Sequence, residues 1–399
     1  MALVIQTSQT FAFYEQQSEQ FHIDAQGLVR GFASALQFPE DKILYPDQQS
    51  LGVAGIARLM INADTGKHWG FEINAYQTYI PAALAKQQSG VGLPAFVERS
   101  AAFETGFSDE DYVHLAMDRF ALRWSNPYIN LALGRQAINL ATTFYFTPND
   151  FFAPFSAQTF YRVYKSGVDA VRAEISLGAF SQLSLISVLG YAAEPESDTG
   201  WSDKPASERT SYLVHWSNSY GNVETALIAG RVVDKNIIGA ALQGELFEWL
   251  GVRFEGHHGN SLDNNFDDYQ QFSLGLEHRW ESSFELRLEL FYNGLGGDNV
   301  TDYPAIAQTG NTQYLGRYYS ALGGGYEITP LLSGEAVIIS NLDDHSTLIS
   351  LNTIYSLSDE SELVGNLGIP LGDKPVNNLF NSEFGSYPVS INIEARLFF

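Results

Sequence analysis

The sequence predicts an all-β chain: a single transmembrane, antiparallel up-and-down β-barrel of about eighteen strands. Three observations predict it. Runs of roughly ten residues alternate between apolar and polar side chains, every second connection between runs is tight while the others are mostly long, and tryptophan gathers beside the tight turns. Alternation alone fits a soluble sandwich as well as a barrel wall. The regular exchange of tight turns and long loops favours the barrel, whose two rims face different compartments.

The predicted strands run over 21–36, 51–63, 68–80, 111–124, 128–140, 165–178, 182–193, 209–218, 222–233, 237–248, 251–260, 268–280, 283–294, 314–328, 331–342, 347–357, 361–370 and 387–399. The last is the clearest. Tyr387, Val389, Ile391, Ile393, Ala395, Leu397 and Phe399 alternate with Pro388, Ser390, Asn392, Glu394, Arg396 and Phe398. Phe284, Leu286, Leu288 and Leu290 alternate with Glu285, Arg287 and Glu289, and Val171, Ala173, Ile175 and Leu177 with Arg172, Glu174 and Ser176. Tight turns include Asp64-Thr65-Gly66-Lys67, Ser125-Asn126-Pro127 and Ser358-Asp359-Glu360-Ser361; long connections cover 81–110, 141–164, 194–208, 295–313 and 371–386. Trp69, Trp124, Trp216, Trp249 and Trp280 sit beside tight turns, as an interfacial aromatic girdle requires, and Trp201 alone lies in a long loop.

Composition narrows the function classes. The 399 residues carry 22 Lys+Arg against 46 Asp+Glu, a net charge of -24, which excludes the basic footprint of a nucleic-acid binder. With no cysteine, the chain cannot supply disulfides, thiolate zinc sites, thioether haem attachment or iron–sulfur ligands. No stretch approaches the roughly 18 apolar residues of a membrane-crossing helix. Residues 1–20 are expected to form an N-terminal segment, with Gln6 to Ala12 resembling the tail of an export signal. Residues 21–399 are expected to form one barrel.

The ending Ile391-Asn392-Ile393-Glu394-Ala395-Arg396-Leu397-Phe398-Phe399 resembles the C-terminal strand of Gram-negative outer-membrane barrels. The resemblance implies short periplasmic turns, long extracellular loops, outer-membrane lipid around the wall, and a last strand read by the barrel-assembly machinery through Tyr387, Ile391, Ile393, Leu397 and Phe399. Porins of this class are often homotrimers, although no lipid-facing strand here is polar enough to demand it. A second patch, Gly134-Arg135-Gln136 followed by Thr147-Pro148-Asn149-Asp150-Phe151-Phe152, resembles a pattern of alginate-export-like barrels. It implies eighteen strands and a diffusion channel.

Alternation points Arg58, Glu72, Arg119, Arg123, Arg172, Glu174, Arg253, Glu255, Glu285, Arg287, Glu289, Glu394 and Arg396 into the lumen. Rings of such charges set ion preference, or pair across strands and stiffen the wall. Arg135 falls on the lipid side with Ile129, Leu131 and Leu133 unless a bulge near Gly134 turns it inward. Loop 141–164 is aromatic-rich and low in charge, unlike a solvated outer loop. It is expected to fold into the barrel and narrow the pore, with Phe144, Phe146, Phe151, Phe152 and Phe155 on the wall and Asp150 and Arg162 near the path; an outer lid or an oligomer contact is the other reading.

Other patterns carry less. Asp263 to Asp268 begins like a calcium loop, but position six is Asp268 rather than Gly and position twelve is Leu274 rather than Glu, leaving at most a loosely bound calcium ion. No other cofactor is expected. His257-His258 lacks a third metal ligand, Gly323-Gly324-Gly325 reads as close packing or a bend, and no nucleophile, base and orienter assemble. The leading expectation is passive transport of small hydrophilic solutes or ions. The second is a sheath holding a periplasmic partner such as a multihaem cytochrome. An outer-membrane enzyme and a secreted β-rich binding protein stand further back.

Overall fold

The computed structural model describes residues 13–18, 20–81, 111–152, 154–157, 164–192, 204–262, 267–309 and 312–399. A short strand, β1 (Tyr14–Gln17), precedes the eighteen that build the barrel. These are β2 (Phe21–Gln37), β3 (Gln49–Thr65), β4 (Trp69–Pro81), β5 (Asp111–Ser125), β6 (Ile129–Gln136), β7 (Val168–Ser176), β8 (Ser181–Val188), β9 (Ser211–Tyr220) and β10 (Val223–Val232). The ring continues through β11 (Lys235–Leu246), β12 (Leu250–Ser261), β13 (Tyr269–Arg279), β14 (Glu285–Asn293), β15 (Tyr318–Thr329), β16 (Leu332–Asn341), β17 (Thr347–Ser358), β18 (Ser361–Leu371) and β19 (Val389–Phe398). Each pairs antiparallel with its chain neighbours, and β19 closes the ring on β2 from Val389 opposite Gln37 to Phe398 opposite Leu28. Closure pairs the first and last barrel strands, the condition under which a sheet can stand in hydrocarbon.

Register sorts the side chains onto two faces. Leu131 and Leu133, Leu286, Leu288 and Leu290, and Ile391, Ile393 and Leu397 all face outward and are exposed, forming a belt suited to lipid. Trp69, Trp249 and Trp280 are exposed at the tight-turn rim; Trp201 lies outside the described residues. One shift interrupts the wall. Asn74 faces Arg119 but the next residue, Ala75, faces Met117, so Asp118 is an extra residue in β5. This bulge brings both Asp118 and Arg119 to the inner face, where each meets an inward partner.

Several expected boundaries move, each for a reason visible in the contacts. β6 ends at Gln136 rather than 140 and β7 begins at Val168 rather than 165, because the chain leaves the ladder to form the loop between them and Lys165 turns to Asp150. β15 begins at Tyr318 because the N–H groups before it bond elsewhere: Leu315 to Glu383, Gly316 to the Tyr319 hydroxyl and Arg317 to Asp343. Tyr387 was expected on the lipid face of the last strand. It lies before β19, packed 5.4 Å from Phe384 against a buried cluster; Ile391, Ile393, Leu397 and Phe399 do face outward, exposed.

The seam uses the edge of β2 twice. β19 covers its upper part, and β1 covers Ala25 to His22 below. Between them the N–H of Phe399 donates to the Gly27 carbonyl at 3.0 Å and Gly27 donates back at 2.5 Å. The Phe399 ring occupies the space a side chain at position 27 would need, since a Cβ there would lie 2.2 Å from the ring. Phe13 packs on the same ring, centroids 5.7 Å apart. Gly27→Leu should therefore overpack the seam at a cost of about 1–3 kcal/mol and lower the temperature at which the barrel loses its compact gel migration. Gly31→Leu, on the same face with nothing within 4 Å of a Cβ, is the control expected to leave it unchanged.

Candidate functional site

The charges assigned to the lumen lie on the face opposite the apolar belt, and all but Glu255 and Glu289 pair. Arg58 reaches Asp118 at 2.6 Å and Asn74 at 2.7 Å, its guanidinium lying between the rings of Tyr76 and Tyr164 at 4.8 and 4.4 Å. Glu72 takes Arg119 at 3.2 Å and Arg123 at 3.9 Å, and Arg172 lies 3.5 Å from Glu174. Arg253 meets Glu277 at 3.2 Å, and Arg287 meets Glu285 at 2.6 Å. Across the seam Glu394 joins Arg30 to Arg396, which also reaches Glu362 at 3.3 Å. At the tight-turn end Arg123, Arg172, Glu174 and Lys67 border a cavity of about 480 Å³.

Glu255 and Glu289 do something else. Both are fully buried and face inward from β12 and β14, and both accept backbone N–H groups of the loop between β6 and β7. Glu255 takes Thr142, Thr143 (3.0 Å) and Asn149 (3.0 Å); Glu289 takes Phe144 (2.8 Å), Tyr145 (3.1 Å) and Phe146 (2.6 Å). Five consecutive N–H groups, Thr142 to Phe146, thus converge on two carboxylates in the manner of an anion nest. The loop leaves β6 and binds β14, eight strands on in an eighteen-strand ring. It therefore crosses almost the full diameter.

Side chains complete the seat. Phe144 lies under the guanidiniums of Arg253 and Arg287, at 4.1 and 4.5 Å. Tyr145 sits over Gly323, where a Cβ would collide with its hydroxyl; this is the packing role of the glycine run. Phe146 stacks on Phe291 at 4.9 Å. Phe152 and Ile138 are buried with Val168, Ile186, Val188, Leu213 and Ile228, filling the side lined by β7 to β10. Phe151 abuts His257 at 5.1 Å, and His257 also contacts Asn149 and the Tyr269 hydroxyl, each at 3.3 Å. His258, the next residue, falls on the opposite face, so the two histidines share no site.

Asp150 was expected near the path. It is buried instead, in an ion pair with Lys165, whose ammonium lies 5.9 Å from the Phe155 ring. This pair fastens the loop's two limbs to each other. Arg162 and the calcium-like residues 263–266 lie outside the described residues, and Asp268 accepts Asn260 and the Ser261 N–H. Arg135, which alternation sent toward lipid, is buried without a register shift, bonded to Asp169 at 3.0 Å and to the Met117 carbonyl at 2.8 Å. Gly134 beside it adopts φ +120°.

Removing one anchor tests the seat. Glu289→Ala would orphan two buried donors and a part-buried one, at about 1–3 kcal/mol for each buried donor, so the loop should come off the wall. Protease cleavage within 142–149 should appear while the barrel keeps its heat-modifiable migration; an uncleaved variant would show that the apolar contacts suffice.

No protein-family model matches the chain, and no curated protein matches it in sequence. Solved structures do. Acinetobacter baumannii OccAB4 is 10% identical, with a TM-score of 0.58 over 96% of this chain and 99% of that one. Pseudomonas aeruginosa OccK11 (OpdR) is 11% identical, with a TM-score of 0.59 over 96% and 99%. Pseudomonas aeruginosa OccK2 (OpdF) in complex with glucuronate is 12% identical, with a TM-score of 0.57 over 94% and 97%. At such identities the likeness is one of fold: these barrels share the eighteen-strand architecture, and they lend no support to the narrower resemblance to alginate-export-like barrels drawn from Gly134 to Gln136 and Thr147 to Phe152.

Proposed function

We propose that the chain is a Gram-negative outer-membrane channel for passive diffusion of small hydrophilic solutes or ions, with the loop between β6 and β7 as its constriction. The observation that carries this reading is the double anchor of Glu255 and Glu289, which holds an aromatic loop across the interior of a closed, lipid-faced barrel. A loop that merely capped the barrel would have no need of two fully buried carboxylates beneath it. The sheath reading is disfavoured by the same fact, because the loop takes the space a folded partner would need. An enzyme is disfavoured too: the buried carboxylates are saturated by loop N–H groups, with no open position for a reacting atom.

Selectivity follows from the pairing. Arg30, Arg58, Arg119 and Arg396 are already matched to Glu394, Asp118, Glu72 and Glu362, so an anionic solute has to compete with wall carboxylates for them. The reading therefore includes modest ion preference despite a net charge of -24. Folding through the barrel-assembly machinery, and a trimeric state, belong to the same proposal.

Planar-bilayer recording under a salt gradient tests it. The purified protein should give stepwise conductance with a reversal potential close to zero, and deleting residues 145–157 should raise the step severalfold. Silence from a properly inserted barrel would overturn the channel reading, and an unchanged step after the deletion would remove the constriction from it.

A further inference from the structure

The extracellular end holds another buried carboxylate, which plays no part in seating the constriction loop. Glu383 is fully buried where three segments meet: the described residues of 294–317, which include helix α1 (Tyr303–Thr309), 342–346 and 372–388. Its Oε1 accepts the Leu315 N–H at 3.2 Å, and its Oε2 accepts Asn341 Nδ2 at 2.8 Å and the Tyr319 hydroxyl. Its own N–H donates to Asp344 at 2.7 Å, and Asp344 also accepts Asn341 at 3.2 Å and the Ser346 N–H at 2.8 Å.

The groups that face Glu383 from each packed element are neutral or acidic. They are Tyr319 from β15, Asn341 from β16, Asp344 from 342–346, Leu315 and Tyr314 from 312–317, Tyr303 from α1, and Tyr387 from its own segment. Asp343, beside Asp344, accepts the Arg317 and Tyr318 N–H groups, and the Arg317 guanidinium is held by Asp298 at 2.8 Å. Among the described residues the donors to Glu383 are therefore uncharged, and the neighbouring charge is another carboxylate.

The cluster is tied to the constriction loop. The Tyr314 hydroxyl accepts the Ala157 N–H at 3.0 Å, its ring lies 5.2 Å from Phe146, and Gln313 donates to the Pro154 carbonyl at 3.3 Å. On the other side Tyr45 donates to the Ser386 carbonyl at 2.6 Å, and the Asn378 N–H donates to Asp41 at 2.9 Å.

We propose that Glu383 is a proton-operated latch: protonated, it locks the three extracellular segments together, and ionised, it releases them and, through Tyr314, loosens the constriction loop. Protonation removes the charge, while the Leu315 N–H can stay on the carboxyl's carbonyl oxygen. The ionised form leaves a buried anion beside Asp344 with no cation against it among the described residues, a costly state in a low dielectric. Burial pushes the Glu383 carboxyl up to about 7 in the locked state, while in the released state it returns to the ordinary carboxylate range. The lock is thus fully present below the ordinary carboxylate range and is lost as pH rises from there through about 7, by at most about tenfold in the locked-to-released ratio per pH unit for one proton, with no further loss above.

The coupling to the pore rests on the channel reading; the latch itself does not, and the test separates them. Hydrogen exchange of 312–317, 342–346 and 378–388 would be followed in liposomes from pH 5 to pH 9, beside bilayer conductance over the same range. Wild type should lose protection progressively as pH rises from 5 to about 7 and level off above it, with conductance noise increasing in step. Glu383→Gln should stay protected and quiet throughout. Tyr319→Phe, which removes a donor to the anion, should move the midpoint to higher pH and decides the matter if Glu383→Gln does not fold. Equal wild-type protection at pH 5 and pH 9, an unaltered profile in Glu383→Gln, or an unmoved midpoint in Tyr319→Phe would overturn the latch. A protein silent in bilayers whose protection still follows pH in this way would support the latch and overturn the channel.

Discussion

Backbone hydrogen bonding without an edge is the constraint on which the rest of this structure depends. In hydrocarbon an unpaired N–H or C=O costs several kcal/mol, so the ring must close, and it closes where β19 meets β2. Closure enforces strict two-residue alternation, because a shift of one residue would put a charge in lipid. The bulge at Asp118 shows how narrow the tolerance is. The extra residue sends two adjacent polar side chains inward, and each finds a partner there. The same demand extends to the loop between β6 and β7, whose N–H groups leave the strand ladder and must be met by something. Glu255 and Glu289 meet them.

The same demand sorts the inward charges of this strongly acidic chain. The inward carboxylates divide into two populations. Glu72, Asp118, Glu362 and Glu394 neutralise arginines of neighbouring strands. Glu255 and Glu289 neutralise no arginine and instead collect backbone dipoles. The arginines nearest the loop, Arg253 and Arg287, are committed to Glu277 and Glu285 and present their faces to Phe144. The charge that would repel within the lumen is absorbed pairwise.

The strands and their inner faces were legible because alternation is local: each of the eighteen predicted strands is present, and the wall charges from Arg58 to Glu289 lie on the face that parity assigned. The aromatic character of the loop was legible for a related reason, since apolar side chains in an outer loop need a surface to cover. Partnership was not legible. Glu255 and Glu289 look in sequence like any other inward carboxylate, and only the fold brings a segment more than a hundred residues away onto them. Asp150 was misplaced because its partner Lys165 stands where alternation read a strand start. Tyr387 was misplaced because a parity rule cannot see the turn at 384–386 that ends before it. Gly323 carried a usable signal, a small residue on an inward position, but naming Tyr145 as the side chain it admits needed the loop in place.

The loop and the long segments at the barrel end opposite the tight turns are best understood as one inner body seated in the barrel. Tyr314 packs on Phe146, Phe291 and Tyr319 at once, joining the loop between β6 and β7, the wall and the segment before β15. Glu383 then joins that segment to β16 and to the approach to β19. Interiors packed this closely shift between discrete arrangements more readily than they deform continuously. A change at Glu383 is therefore felt at Phe146 through two aromatic contacts, whereas the β7 to β10 side, filled by Phe152 and Ile138 against aliphatic wall residues, has no titratable group in that cluster and stays as the fixed support against which the rest can move.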